Sequence, residues 1–300
     1  MKRCLIFGGA VVDLVMRIHA LPKAGDDIRA FGSEELCGGC GYNVACILNE
    51  MDAAFTPLFP VGEGFYGDFI ARSLKERGID FCLRVPGESG HCISLIDSTG
   101  ERTFISCERT ENLLYPEWFL LPEVAACDCA YVAGYQFVTS AASMILDYFQ
   151  MHKMEEIFFA PGPRVSVMDA GAIDRMFRLG AVFHLNATEA KLLTKEQTAG
   201  DAAWHIFDKT GAPVIVTLGN AGALLFDADG QRIIPCYGDS CIDASGAGDA
   251  HIAAIIGSRM HGKSWDESVR IGNVISSHVV MVCGATLPAG MLRKERWHEL

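Results

Sequence analysis

The sequence predicts an α/β protein with a mostly parallel sheet, helices on both faces and a small β lid. Three observations carry this. Short apolar runs alternate with stretches of helical spacing along 300 residues. Glycine pairs such as Gly8-Gly9 and Gly38-Gly39 sit at the changeovers. One region, His91 to Ser106, breaks the alternation with two paired extended segments.

Arg3 to Phe7 is apolar and ends at Gly8-Gly9, a first strand. Asn43 to Met51 has helical spacing, Thr56 to Val61 reads as a strand, and Asp68 to Arg77 as a helix. Later strands are expected at Cys129–Val132, Glu156–Phe159, Ala181–His184 and Pro213–Thr217. Helices fill the gaps, notably Ala141–His152 and Ala187–Leu193. His91–Ile96, the turn Asp97-Ser98-Thr99-Gly100 and Arg102–Ser106 form a hairpin pattern. Asp27–Phe31 is a further extended stretch. These insertions, about 14–36 and 88–110, read as a lid over a cleft or as an ordinary surface hairpin. The sequence has no repeat, low-complexity tract or interdomain linker, so 1–300 reads as one domain.

Half of the residues are hydrophobic, enough for a sizeable core, and the net charge is −12. A nucleic-acid backbone would be repelled by such a surface, while a small anion can still be held by a local cradle. The apolar stretch near the N-terminus is short and interrupted by glycine, unlike a signal peptide. No run reaches the ~20 apolar residues that span a bilayer. The expectation is a soluble, cytoplasmic protein without a membrane partner. The twelve cysteines then read as free thiols. Cys37-x-x-Cys40 and Cys127-x-Cys129 have zinc or redox spacing, but one lies in a glycine run and the other in an apolar run.

Asp243-Ala-Ser-Gly-Ala-Gly-Asp249-Ala250 is the most informative segment. Small residues precede an apolar run, Ile252–Ile256, as in a tight loop opening onto a buried helix. A helix start presents unpaired N–H groups and binds anions, and Gly246 and Gly248 permit close approach. A carboxylate there, Asp249, repels a phosphate unless it serves as a base toward an attacking hydroxyl. Alternatively, Asp249 stabilises a helix start behind a glycine turn.

Two other nucleotide patterns compete. Gly257-x-x-x-x-Gly262-Lys263-Ser264 has P-loop spacing, but little chain follows it and its loop would carry Arg259, Met260 and His261. Ser264 with Glu267 instead makes a helix capping box. Gly62-x-Gly64-x-x-Gly67 has dinucleotide spacing, but it is not at the first strand and Glu63 would repel a pyrophosphate. Cys37 to Ala45 is a glycine loop feeding a helix, and with Asp13 its Asn43 could converge on polyol hydroxyls. Asn186 and Glu189 share a helix-start face, suited to hydrated magnesium or to a cap.

These pieces resemble the ribokinase-like (PfkB) carbohydrate kinases. Asp243 to Asp249 resembles their C-terminal signature, Gly38-Gly39 with Asn43-Val44-Ala45 the N-terminal one, and Asn186-x-x-Glu189 the N-x-x-E motif. Asp13, Gly62–Gly67, Gly100–Phe104 and Thr217-Leu218-Gly219 follow in the family's order, so the resemblance covers essentially the whole chain. Ala244, Gly64 and His251 depart from the pattern. The resemblance implies a three-layer α/β/α core and an ATP-dependent kinase acting on a hydroxyl of a sugar or sugar-like alcohol. It implies Asp249 as base, with Gly246, Ala247 and Gly248 holding the phosphoryl group. Asp13, Gly38, Gly39 and Asn43 would hold the acceptor. Asn186 and Glu189 would position Mg2+ through water, and Thr217, Gly219, Gly222 and Asn273 would line the ATP site. Asp243 with carbonyls near Ser245 and Gly284 would hold K+, as in some relatives, and the lid would pair two subunits. The acceptor stays open among a ribose- or fructose-type sugar, a sugar acid, which Arg102, Arg109 and Arg164 could meet, and a nucleoside. A non-catalytic sugar or nucleoside sensor is the alternative of another class.

Overall fold

The computed structural model describes residues 2–99, 101–236, 241–294 and 297. Gly100, at the expected hairpin turn, lies outside them. The strands are β1 (Arg3–Phe7), β2 (Val11–Arg17), β3 (Gly32–Gly38), β4 (Ala54–Pro57), β5 (Pro60–Glu63), β6 (Leu83–Glu88) and β7 (His91–Ile96). They continue with β8 (Arg102–Cys107), β9 (Cys129–Ala133), β10 (Glu156–Ala160), β11 (Val182–Asn186), β12 (Val214–Thr217), β13 (Ala223–Asp227) and β14 (Gly230–Ile234). The helices are α1 (Cys40–Glu50), α2 (Gly64–Glu76), α3 (Pro122–Ala125), α4 (Ala141–Met151) and α5 (Ala170–Arg178). After them come α6 (Ala187–Thr194), α7 (Ala199–Thr210), α8 (Ala247–Met260), α9 (Trp265–Val279) and α10 (Met291–Lys294).

An eight-stranded sheet runs β14-β13-β12-β11-β10-β9-β1-β4. From β4 to β12 it is parallel, and β13 and β14 close one side as antiparallel strands. Strands covered on both faces are apolar throughout, and β1 shows why. Cys4 and Ile6 join the core beneath α1, α8 and α9, while Leu5 and Phe7 join the core beneath α4, α5 and α7. The result is the expected three-layer sandwich.

A second sheet, β3-β2-β7-β8, stands apart from the main one. Its strands come from the two segments expected to insert, with β2 starting at Val11, before the boundary read near 14. Three expectations need correction here. Asp27–Phe31 is not a strand; the extended run begins at Gly32 and pairs with β2. The glycine loop at Cys37–Ala45 shrinks to Gly39, because β3 reaches Gly38 and α1 opens at Cys40. The strand read at Thr56–Val61 is two strands in two sheets, since the chain leaves β1 after Pro57 and re-pairs with β6 from Pro60.

Both competing nucleotide motifs dissolve into packing. Gly257 lies inside α8 and is buried, so residues 257–260 are helix rather than phosphate loop. Ser264 caps α9 in a reciprocal box with Glu267. Gly62 and Gly67 are glycine because chain segments meet there: a Cβ would lie 2.4 Å from the Gly87 carbonyl oxygen and 1.9 Å from that of Gly62, respectively. All twelve cysteines are free, as expected. No helix among the described residues is long and apolar enough to cross a membrane.

Lys263→Ala should therefore leave ATP affinity unchanged in a calorimetric titration, while Ser264→Ala should cost about 1 kcal/mol of unfolding free energy through the lost cap. Loss of ATP affinity in the lysine variant would restore the P-loop reading.

Candidate active site

Ligands of open α/β sheets bind beyond the carboxyl ends of the strands. At that edge lies a cavity of about 430 Å³ bordered by Asp13, Gly39, Asn43, Tyr135, Gly246 and Asp249. A second cavity, of about 230 Å³, is bordered by Thr217, Gly219, Gly222, Ala247, Gly248 and Asn273. The N-terminus of α8 stands between them, with Gly246 and Asp249 on one side and Ala247 and Gly248 on the other.

No side chain caps α8; the Ala247 N–H reaches the Ala244 carbonyl at 3.4 Å, and the N–H groups of Gly248 and Asp249 have no side-chain acceptor. The turn needs glycine at position 246: φ is +71°, and a Cβ would lie 2.1 Å from the Ala285 carbonyl oxygen. At the facing helix, Gly39 has φ +93° and a Cβ there would lie 2.6 Å from the Gly9 carbonyl oxygen. This close approach brings the start of α1 against the end of β1. Asn43, in the first turn of α1, then donates from Nδ2 to Asp249 Oδ2 at 2.8 Å.

Asn43 Oδ1 is buried without a hydrogen-bond partner. A buried polar atom is normally satisfied, so this acceptor at a cavity wall marks a place for a ligand donor. Asp13 lies on β2 rather than in the loop after β1, and it borders the same cavity. Gly38 does not border it. A Cβ on Gly38 would meet Asp13 Oδ2 at 2.1 Å, so this glycine makes room for the carboxylate instead of touching a ligand. Burial, then the charges of Asp249 and Asp243, push the Asp13 pKa up to about 6. Burial likewise holds Asp249 above the ordinary carboxylate value, opposed by hydrogen bonds from Asn43 and Cys40.

The K+ expectation at Asp243, Ser245 and Gly284 meets an arginine. The Arg102 guanidinium, from the start of β8, contacts Asp243 Oδ1 and donates to Ser245 Oγ. Asp243 also accepts from the backbone N–H of Ser245 at 2.7 Å and of Gly284 at 2.9 Å. Burial raises the pKa of this carboxylate, but the arginine and the two amides outweigh it and hold the group below its ordinary value. Both carboxylate oxygens are engaged, so Asp243 does not fit a monovalent cation in this arrangement.

The second cavity holds its expected residues in varied ways. Thr217 ends β12, beside Asn186 at the end of β11. Asn273 has no free amide for a ligand. Its Nδ2 donates to the carbonyls of Ile234 and Pro235, and its Oδ1 accepts from His251 Nε2 at 3.0 Å. His251 in turn meets His184 Nε2 at 2.8 Å. Asn186 and Glu189 form a reciprocal capping box and border neither cavity. One Glu189 oxygen accepts from the Asn186 N–H at 3.0 Å, which leaves the other for a hydrated cation.

Several wall residues escaped the sequence reading. Tyr135 follows β9 at the carboxyl edge, and Phe104 alternates inward on β8. Glu111, buried and bonded to the N–H groups of Gly90 and Arg109, had no sequence signal. The position of Tyr135 just after a strand could have flagged it.

The model for the pfkB family carbohydrate kinase matches residues 1–290. The chain belongs to this family. It is 28% identical over 283 residues to an uncharacterized sugar kinase of Escherichia coli (strain K12), covering 92% of this chain and 88% of that one. It is 23% identical to the ribokinase of Bacillus subtilis (strain 168), covering 100% and 99%. Its fold matches the ribokinase of Thermotoga maritima with a TM-score of 0.84 at 22% identity, covering all of both chains. The protein is a carbohydrate kinase: a phosphotransferase that takes an alcohol group as acceptor.

In this kinase, Gly246→Ala should lower unfolding free energy by about 1–3 kcal/mol through backbone strain. Gly248→Ala, whose Cβ would meet nothing within 4 Å, should leave it unchanged. Equal stability of the two variants in urea unfolding would contradict the packing described.

Proposed function

We propose that the 430 Å³ cavity takes the acceptor, that the second cavity takes ATP, and that Asp249 is the general base between them. The carrying observation is the uncapped start of α8 lying between the two cavities with a carboxylate on one side only. The acceptor hydroxyl gives its proton to Asp249 as its oxygen attacks the γ-phosphorus, and the bond to the ADP oxygen breaks. The N–H groups of Gly246 to Asp249 face the charge on the transferred group. Asp13 and Asn43 Oδ1 accept from other hydroxyls of the acceptor. Asn186 and Glu189 would hold Mg2+ through its water shell, and the ion supplies neutralising charge to the phosphates. The small sheet covers the acceptor and keeps water from competing with it. Its opposite face carries Met16, Ile93, Leu95 and Ile105, which supports pairing of two copies through this sheet.

Charge favours a neutral acceptor. Arg102 is paired with Asp243, Arg109 with Glu88 at 2.5 Å and Arg164 with Glu108 at 2.5 Å. The cavity wall carries Asp13, Glu108, Glu111 and Asp249. A carboxylate or phosphate on the acceptor would meet like charge and no free arginine among these three, so a sugar acid fits least well. A ribose- or fructose-type sugar is the first reading. Tyr135 and Phe104 also favour a nucleoside, whose base could lie on either ring. A nucleoside kinase of Burkholderia thailandensis in complex with inosine shares the fold, with a TM-score of 0.79. The competent base speaks against a sensor without activity.

A screen of neutral sugars, sugar acids and nucleosides for ATP consumption should find turnover with a neutral compound. Turnover confined to sugar acids would overturn the charge argument. With the acceptor in hand, Asp249→Asn should keep the fold and ADP binding but lower kcat by roughly 10²–10⁴-fold. Near-normal kcat would remove Asp249 from the reaction.

The pH profile follows from the same carboxylates. A base must be deprotonated, and the Asp249 pKa is raised, so kcat/KM should fall as pH drops through a limb above the ordinary carboxylate range. Asp13, pushed up to about 6 by burial first and then by the charges of Asp249 and Asp243, also loses its charge as pH falls. Asp13→Asn should move the limb to lower pH, and an unmoved limb would separate Asp13 from it.

A further inference from the structure

We infer that Arg102 is a positioning residue that takes the place of a monovalent cation at the phosphate loop, so that phosphoryl transfer by this enzyme is independent of K+. The inference rests on reading Gly246–Asp249 as that loop. Asp243 joins three segments. It accepts from Ser245 on its own loop and from Gly284 on the loop beside Ala285, and it pairs with Arg102 from the small sheet. The Ala285 carbonyl packs against Gly246, which starts the helix end facing the phosphate. A positive charge at Asp243 therefore holds the loop against the Gly284 segment and keeps the amides of α8 aimed at one point. Arg102 supplies that charge from inside the chain, with its side chain 19% exposed and Asp243 6% exposed. One guanidinium nitrogen of Arg102 reaches both the Asp243 carboxylate and the Ser245 hydroxyl, which fixes geometry in a way that a mobile ion does not. Because Arg102 rides on the sheet that borders the acceptor cavity, the same ion pair ties the cover of the acceptor to the loop that receives the phosphate.

The test uses wild-type enzyme, ATP and the acceptor from the screen, in tetramethylammonium chloride at fixed ionic strength, with KCl titrated in. ADP binding is followed by calorimetry in the same series. Wild-type kcat and ADP affinity should not change with K+. Arg102→Ala should lose about tenfold or more in kcat, because it leaves Asp243 buried and unpaired. Added K+ or guanidinium should return part of that loss, and Arg102→Lys should retain part of the activity. A rise of wild-type kcat or ADP affinity with K+ overturns the inference, as does a folded Arg102→Ala with normal kcat. If Arg102→Ala does not fold, the wild-type titration and Arg102→Lys still decide. Failure of the wild type to bind ADP at all would instead overturn the reading of the phosphate loop.

Discussion

The uncapped first turn of α8 is the constraint on which the site depends. A helix end with unpaired amides is costly to bury unless something else supports it. Here the support comes from backbone. Gly246 turns left-handed against Ala285, and the preceding loop is pinned at Asp243. The helix behind it is apolar nearly all round, with Ile252, Ala253, Ala254, Ile255 and Ile256 buried between the sheet, α1 and α9. The axis is thus fixed by packing, and the residues of the first turn carry no side-chain cap. That leaves their amides for an incoming anion.

The second constraint is the carboxylate pair. Asp13 and Asp249 are held on opposite elements, β2 and α8, across one cavity. Burial raises the proton affinity of both, the charges of Asp249 and Asp243 add to it at Asp13, and a raised carboxylate is suited to accepting a proton. Asn43 mediates between the two needs. Its amide steadies Asp249 by donation and its oxygen is left open toward the cavity. The arginines near the mouth, Arg109 and Arg164, are paired with Glu88 and Glu108.

The parallel strands and their helices were legible because buried strands are short apolar runs, and each run was a strand within a few residues of the expected bounds. The exception, Thr56–Val61, looked continuous because hydropathy does not register a change of hydrogen-bonding partner. The tight turn opening onto α8 was legible because a left-handed residue, small neighbours and a following apolar helix are all local demands. The role of Arg102 was not. Its partner is 141 residues away, and nothing in its neighbours Glu101 and Thr103 indicates that its charge belongs to a buried aspartate. Gly38 misled for a related reason: its lack of a side chain serves Asp13 across a strand pair, not a ligand.

The buried chain from His184 through His251 to Asn273 has an effect beyond filling space. Asn273 donates to two carbonyls, so its oxygen must accept, and the hydrogen bonds then run in one direction from His184 Nε2 to His251 Nδ1 and from His251 Nε2 to Asn273. Burial holds both rings uncharged, with His251 lowered to about 4 and His184 well below its ordinary value. These rings join β11, α8, α9 and the end of β14 into one wall that keeps the same charge and the same bonds from mild acid upward. Protons therefore act on this enzyme asymmetrically. The cavity beside Asp13 and Asp249 responds to acidity, and the wall of the second cavity is insulated from it.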